Sequence, residues 1–236
     1  MKKIKYESFL TAETHLHIQN GNRKLGQGIY TVNLLSGDKP LTLKDGTILT
    51  NVSGTCDGCC DGCKKDCYAI KTQLRYNNDV PTWADNTLLA KYDVVTFFGE
   101  LQSFINKNVV AVIRYHALGE IPSFNYLFKA VELANNNPNI RFYLYTKRFQ
   151  WIEQYINTFG DFPKNFVVNV SIWHNNYKNL LSLPEFIYDD GTQSELESVV
   201  HCPAVDKSGN NTGVTCAMCK RCINAKQGTR TAVYAH

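Results

Sequence analysis

Cysteine is absent between residues 68 and 201 of this 236-residue chain, and all nine of its cysteines fall within 56–67 and 202–222. Charge is sparse, at 19% of residues, and neither sign dominates: 25 basic and 21 acidic residues leave a net charge of +4. No basic run reaches the length of a nucleic-acid arm, so the sequence argues against a nucleic-acid partner. A run of about 20 apolar residues is also missing, which excludes a membrane-spanning helix. Seven prolines and 15 glycines among 44% hydrophobic residues describe a globular chain and exclude a collagenous or proline-rich one. No internal repeat or low-complexity tract interrupts it. The opening Met1–Glu7 is basic with no apolar stretch behind it, so no export signal is expected. In a reducing compartment the thiols stay free, and their odd number argues against a closed disulfide framework.

What is present is an alternation. Residues 28–35 read as a first strand, rich in β-formers. Leu41–Lys44, Asp45–Gly46 and Thr47–Thr50 read as a hairpin, because Asp-Gly supplies the positive φ angles of a two-residue turn. A helix is expected from Cys67 to Tyr76, and Pro81 suits the first turn of another. Val109–Tyr115, Arg141–Thr146 and Phe166–Ile172 are near-continuous apolar strands. Between them lie helices over Phe124–Asn135, with Ser123 as cap, and over Phe149–Phe159. Thr231–His236 is a closing strand. Apolar strands alternating with helices predict an α/β fold: a partial, parallel, barrel-like sheet covered by helices. We expect one domain over 1–236, with an N-terminal hairpin insertion and cysteine loops at 54–68 and 201–223.

Clusters of thiols in such a chain point to metal, since several thiolates can converge on one ion or one iron–sulfur cube. Cys202-Pro203 followed by Cys216-x2-Cys219-x2-Cys222 wraps three thiolates round a cube and supplies the fourth from a distance, much as in bacterial ferredoxins. Lys220 and Arg221 lie inside the run, where they offset cluster charge. Zinc is the alternative, although zinc usually takes two separated Cys-x2-Cys knuckles and this run overlaps them. The N-terminal set, Cys56, Cys59, Cys60, Cys63 and Cys67, over-supplies one site. Cys56, Cys60 and Cys63 match the Cys-x3-Cys-x2-Cys spacing of radical S-adenosylmethionine enzymes, with Gly62 where those enzymes carry an aromatic residue. Cys59 and Cys60 stay ambiguous.

In parallel α/β folds, chemistry gathers at the carboxyl ends of the strands. His116, Glu120, Lys147, Trp173, His174, His201, Cys202 and His236 all fall just after a predicted strand. His116-Ala-Leu-Gly119-Glu120 echoes the Gly-Gly-Glu strand end with which radical enzymes hold the amino group of their cofactor.

Taken together, Gly21-Asn-Arg-Lys-Leu-Gly26, Thr55-Cys56, Cys63-x3-Cys67-Tyr-Ala69, His116-x2-Gly119-Glu120, Arg141-Phe-Tyr-Leu-Tyr-Thr-Lys147, Cys202-Pro203 and Thr215-Cys-x2-Cys-x2-Cys222 resemble a family of bacteriophage proteins known by a gene-product number. The resemblance covers residues 21 to 224. Asp57 stands where that pattern has proline, Glu120 replaces aspartate, and Cys59 and Cys60 are additional. The resemblance implies an iron–sulfur protein of viral origin in the cytoplasm of the infected bacterial host. Its metal ligands would be Cys56, Cys63, Cys67, Cys202, Cys216, Cys219 and Cys222.

Three functional expectations follow. The first is a protein holding one or two [4Fe-4S] clusters in a redox or structural role, with a redox carrier or a small molecule as partner. The second is a radical S-adenosylmethionine-type enzyme with one catalytic and one auxiliary cluster, with His116, Glu120, Lys147 and His174 binding the cofactor. The third is a zinc-stabilised interaction module.

Overall fold

Strand and helix alternate as the apolar pattern requires, and the result is a mixed α/β architecture. The structure, a computed structural model, describes residues 5–6, 13–37, 40–42, 48–57, 60–173, 181–192, 196 and 199–235. The strands are β1 (Lys5–Tyr6), β2 (Gln19–Asn20), β3 (Ile29–Val32), β4 (Pro40–Thr42), β5 (Ile48–Ser53), β6 (Val112–Tyr115), β7 (Arg141–Thr146), β8 (Phe166–Ile172), β9 (Glu185–Asp189), β10 (Val200–His201) and β11 (Arg230–Tyr234). The helices are α1 (Asp61–Lys65), α2 (Tyr68–Arg75), α3 (Val80–Tyr92), α4 (Val94–Lys107), α5 (Phe124–Asn136), α6 (Phe149–Phe159) and α7 (Cys216–Cys219), with a 3-10 turn at Asn77–Asp79.

Eight strands form one sheet in the order β10-β11-β9-β8-β7-β6-β3-β2. The ladders from β6 through β7, β8, β9 and β11 to β10 are all parallel. The sheet is open, with β10 and β2 at its two edges. Its final strand in sequence, β11, is inserted between β9 and β10. A second sheet, β1-β5-β4, contains the predicted hairpin: Thr42 pairs antiparallel with Ile48. The hairpin's turn, residues 43–47, lies outside the described residues, as does His236.

By its packing the chain divides into two compact units, one of Met1–Gln19, Thr31–Val109 and His116–Asn136, the other of Asn20–Tyr30, Val110–Tyr115 and Asn137–His236. The first unit is mainly helical. Pro81 sits in the opening turn of α3, where its missing N–H costs nothing. α3 is buried nearly all round, and packs Val80, Trp83, Ala84 and Leu88 with Leu35, Ala69 and Leu118. α4 turns Phe97, Phe98, Leu101 and Ile105 inward at helical spacing. There Phe97 and Phe98 meet Tyr126 of α5 at ring separations of 5.1 and 4.9 Å. Ser123 caps α5 as predicted, accepting the Tyr126 N–H at 3.1 Å.

The second unit carries the parallel ladder. All seven residues of β8 are buried, as a strand covered on both faces should be. β6 starts three residues later than the apolar run suggests, since Val109 is 97% exposed. A continuous apolar run does not by itself say where a strand enters the sheet.

Asp93 gives the fold a test. It caps α4, its carboxylate accepting from Thr96 N at 3.1 Å and Thr96 Oγ1 at 2.7 Å. Those two bonds hold its carboxyl below the ordinary 3.8. Asp93→Ala should destabilise the protein by about 1 kcal/mol at neutral pH in urea denaturation. Because the folded pKa is depressed, the ionised cap contributes fully above pH 3.8 and is lost as pH falls through the folded value. The gap between Asp93→Ala and the parent should therefore narrow in acid.

Candidate metal-thiolate site

The C-terminal cysteines are assembled by a short helix, a strand edge and a loop that reaches back from residue 20. Thr215 caps α7, its hydroxyl accepting from Met218 N at 3.3 Å. One helical turn puts Cys216 and Cys219 three residues apart on the same side. Lys220 then takes a left-handed conformation, φ 55°, and reverses the chain toward Cys222. Cys202 continues the β10 pairing, with its N–H on Ala232 O at 2.7 Å. The loop at Asn22–Gly26 docks through backbone bonds, Cys216 N to Lys24 O at 3.0 Å and Ala217 N to Leu25 O at 2.9 Å. Asn22 holds that loop by accepting from Lys24 N and Leu25 N at 2.9 and 2.8 Å. Gly26 has φ 81°, and a Cβ on it would come within 2.9 Å of Thr215 Oγ1 and 3.0 Å of Ala217 Cβ.

Cys216 lies within electrostatic reach of Cys202 and Cys219, and Cys222 of Cys202 and Cys216. Burial raises the Cys216 thiol, opposed chiefly by the Arg114 guanidinium. Burial also raises Cys222, opposed by hydrogen bonds from the Tyr145 and Thr231 side chains. Arg114 stacks over the Tyr145 ring at 4.8 Å, and Arg221 Nε donates to Thr231 Oγ1 at 3.0 Å. Lys24 is the second cation. Burial lowers its amine, and so does neighbouring Arg114, while Cys202 and Cys216 raise it. The exposures differ: Cys202, Cys216 and Cys222 are half-buried, and Cys219 is exposed.

Among the described residues, no group of three or more His, Cys, Asp or Glu side chains is arranged to hold a metal ion. By residue type alone, thiol sulfurs would suit a soft metal or an iron–sulfur cube.

The N-terminal set belongs to the other unit. Cys60 precedes α1, Cys63 is buried within it, and Cys67 precedes α2. Cys56 N donates to Gly37 O at 3.0 Å. Cys59 lies outside the described residues. Just before Cys56, the Thr55 hydroxyl accepts from Glu120 N at 2.7 Å and donates to Leu35 O at 3.1 Å. The loop after β6 is held the same way throughout: Asn33 Oδ1 takes Ala117 N and Leu118 N, and Ser36 Oγ takes Gly119 N. Gly119, at φ 89°, leaves no room for a Cβ, which would meet Leu34 Cβ at 2.7 Å. The Glu120 carboxylate is buried and accepts Ile121 N at 2.8 Å. His116 is buried at φ 56° with Nδ1 2.9 Å from Val32 O.

Of the residues predicted to bind a cofactor, His116 and Glu120 thus share one tightly tied loop. Lys147 is in the second unit, its ammonium 5.3 Å from the Trp173 ring, with Trp173 stacked on Tyr188. His174 lies outside the described residues. Sequence reasoning gave no role to Lys24, Arg114, Tyr145 or Thr231. The readable signal was Arg114, a lone charge inside an otherwise apolar strand.

The fold and this site define a mixed α/β protein with a thiol-rich centre at one end of its chain. Residues 15–225 match the Gene product 88 family, and the chain belongs to that family. No curated protein and no solved structure matches it. Among the described residues, no helix is long and apolar enough to cross a membrane.

The loop at Gly26 can be tested against Gly28, which shares φ 81° but has nothing within 4 Å of the point a Cβ would occupy. Gly28→Ala should cost only the strain of its backbone, about 1 kcal/mol. Gly26→Ala adds collision with the α7 cap, so its loss in urea stability should be larger by about 1–2 kcal/mol.

Proposed function

We propose that this is an iron–sulfur protein in which Cys202, Cys216, Cys219 and Cys222 hold a [4Fe-4S] cluster with a redox or structural role. What supports the reading is the cysteine pattern itself, Cys216-x2-Cys219-x2-Cys222 beginning on α7 with Cys202 following β10, in the neighbourhood of the cationic side chains of Lys24 and Arg114. Four thiolates around a doubly positive core leave two negative charges, which match the two cations. Zinc held by four thiolates has the same balance, and the overlapping Cys-x2-Cys-x2-Cys run is what favours the cube. Bound there, such a cluster supplies one-electron redox chemistry. Tyr145 and Thr231 hydrogen-bond to Cys222 and stabilise its thiolate.

Family membership supports a viral origin, and free thiols suit the cytoplasm of an infected bacterial host. A partial barrel remains the finer reading of the open parallel sheet.

A second reading, a radical S-adenosylmethionine-type enzyme, is favoured by one observation in the first unit: the Thr55–Glu120 bond ties the start of the cysteine loop to the Gly119–Glu120 turn. On that reading Cys56, Cys63 and Cys67, with Cys60 as the competing ligand, hold a second cluster, and Glu120 and His116 face its cofactor. Lys147, in the second unit, and His174, outside the described residues, stay with the sequence expectation. Cleavage of S-adenosylmethionine by the reduced protein under anaerobic conditions is the test, and failure both to bind and to cleave it excludes this reading.

For the principal reading, iron, acid-labile sulfide and zinc are counted on anaerobically purified protein. About four irons and four sulfides per chain indicate one cube and about eight indicate two. Cys216→Ser and Cys219→Ser should each remove about four irons and lower thermal stability, because metal binding is coupled to folding. Zinc without sulfide would replace this reading with a zinc-stabilised docking module.

A further inference from the structure

Two thiols spaced Cys-x2-Cys have a chemistry that needs no metal, since one helical turn brings them close enough to close a disulfide. α7 carries such a pair at its two ends, Cys216 and Cys219. The turn between them is held by Cys219 N on Thr215 O at 2.9 Å and Lys220 N on Cys216 O at 2.8 Å. Positions three apart on a helix have Cβ atoms about 5–6 Å apart, and a disulfide needs about 3.5–4.5 Å. α7 is a single turn that ends at left-handed Lys220, so it can tighten without unwinding a longer helix.

Exposure and anchoring select this pair over the other thiols. Among the described cysteines only Cys219 is exposed, so an incoming small molecule meets it first. Cys216 is half-buried and within electrostatic reach of Cys219, whereas Cys222 feels Cys202 and Cys216. Cys202 and Cys222 are tied to the sheet. The Cys202 N–H donates to Ala232 O at 2.7 Å, and the Cys222 carbonyl accepts from Asn169 Nδ2 at 3.2 Å. Spacing alone does not single out the pair, because Cys60-x2-Cys63 repeats it. There Cys63 is buried in α1 and Cys60 is half-buried, so that pair presents no exposed attacker.

We propose that Cys216 and Cys219 form a reversible oxidation site, at which Cys219 reacts with a low-molecular-weight disulfide such as oxidised glutathione and Cys216 resolves the adduct. The Cys219 sulfur attacks one sulfur of the reagent, giving a mixed disulfide and releasing one thiol. The Cys216 sulfur then attacks Cys219 Sγ, displacing the second thiol and closing the Cys216–Cys219 bond. Two protein thiols are oxidised, one disulfide is reduced to two thiols, and the two thiol protons pass to the released thiols. An accessible thiol with a resolving partner beside it is the arrangement of a redox-sensing dithiol. The step belongs to the metal-free chain and does not depend on the iron–sulfur reading. On that reading, closure withholds two of the four ligands until the bond is reduced.

Trypsin cuts after Lys207 and Lys220, so residues 208–220 form one peptide that contains Cys216 and Cys219 and no other cysteine. The full-length protein, stripped of metal with a chelator and kept from oxygen, is incubated with oxidised glutathione. Remaining thiols are alkylated before digestion and mass spectrometry. Peptide 208–220 should lose two hydrogens and take up no alkyl group, and dithiothreitol should restore both thiols. Cys216→Ser should instead trap glutathione on Cys219, because the resolving thiol is gone. Cys219→Ser should react at Cys216 about tenfold more slowly than Cys216→Ser does at Cys219, and in urea the two rates should converge. Two alkylated thiols in the oxidised parent, a bond from this peptide to Cys202 or Cys222, or equal rates in the folded variants would overturn the site. Protein purified with iron should react only after the metal is stripped. Protein purified without iron whose peptide closes as expected keeps the oxidation site and removes the cluster reading. Iron-loaded protein whose stripped form leaves both thiols open overturns the oxidation site alone.

Discussion

Lys24 is held partly out of water, where burial and the neighbouring Arg114 charge lower its amine while Cys202 and Cys216 raise it. Everything around the C-terminal thiols follows from this constraint. The loop at Asn22–Gly26 is stitched to α7 through backbone bonds, with the Lys24 carbonyl accepting from Cys216 N. Arg114 rises from β6 inside the parallel sheet and lies over the Tyr145 ring. That stacking keeps its guanidinium beside the thiols at the cost of only a weakly hydrated charge. The backbone carrying both cations is thus held by the fold beside the thiols.

The sheet explains how the parts arrive there. In the second unit the parallel strands each contribute one element: Arg114 and Tyr145 from β6 and β7, Thr231 from the start of β11, Cys202 from just past β10. β11 is the last strand in sequence, yet it lies inside the sheet between β9 and β10. The segment bearing Cys216, Cys219 and Cys222 is therefore bounded by Cys202 on one side and a buried ladder on the other. A loop closed by sheet pairing at both ends loses less entropy on gathering its thiols than a free tail would.

Much of this was legible. The helices at α2, α3, α5 and α6 and the strands at β7 and β8 follow from hydrophobic period, proline position and the Ser123 cap, because each is dictated locally. α4 and β9 were not read. α4 opens with Val94-Val95 and carries two adjacent phenylalanines, a strand-like start that only packing against Tyr126 resolves into a helix. β9 is five residues between loops and exists because β8 and β11 flank it. At the site, the cysteine spacing was visible as a one-dimensional pattern. Lys24 and Arg114 are ninety positions apart and become neighbours only through the fold, so no spacing rule could pair them.

The protonation of the thiols links this chemistry to folding. Burial raises Cys216 and Cys222 above the ordinary thiol value, so without metal both are protonated at neutral pH and neutral. On the iron–sulfur proposal, metal binding would remove those protons, create the thiolates and tie Cys202 to the α7 run. A cube and a zinc ion held by four thiolates carry the same net charge. What separates them is that reduction of a cube adds a further negative charge, which the cation-rich, carboxylate-free surroundings of residues 20–30 and 207–235 are suited to stabilise.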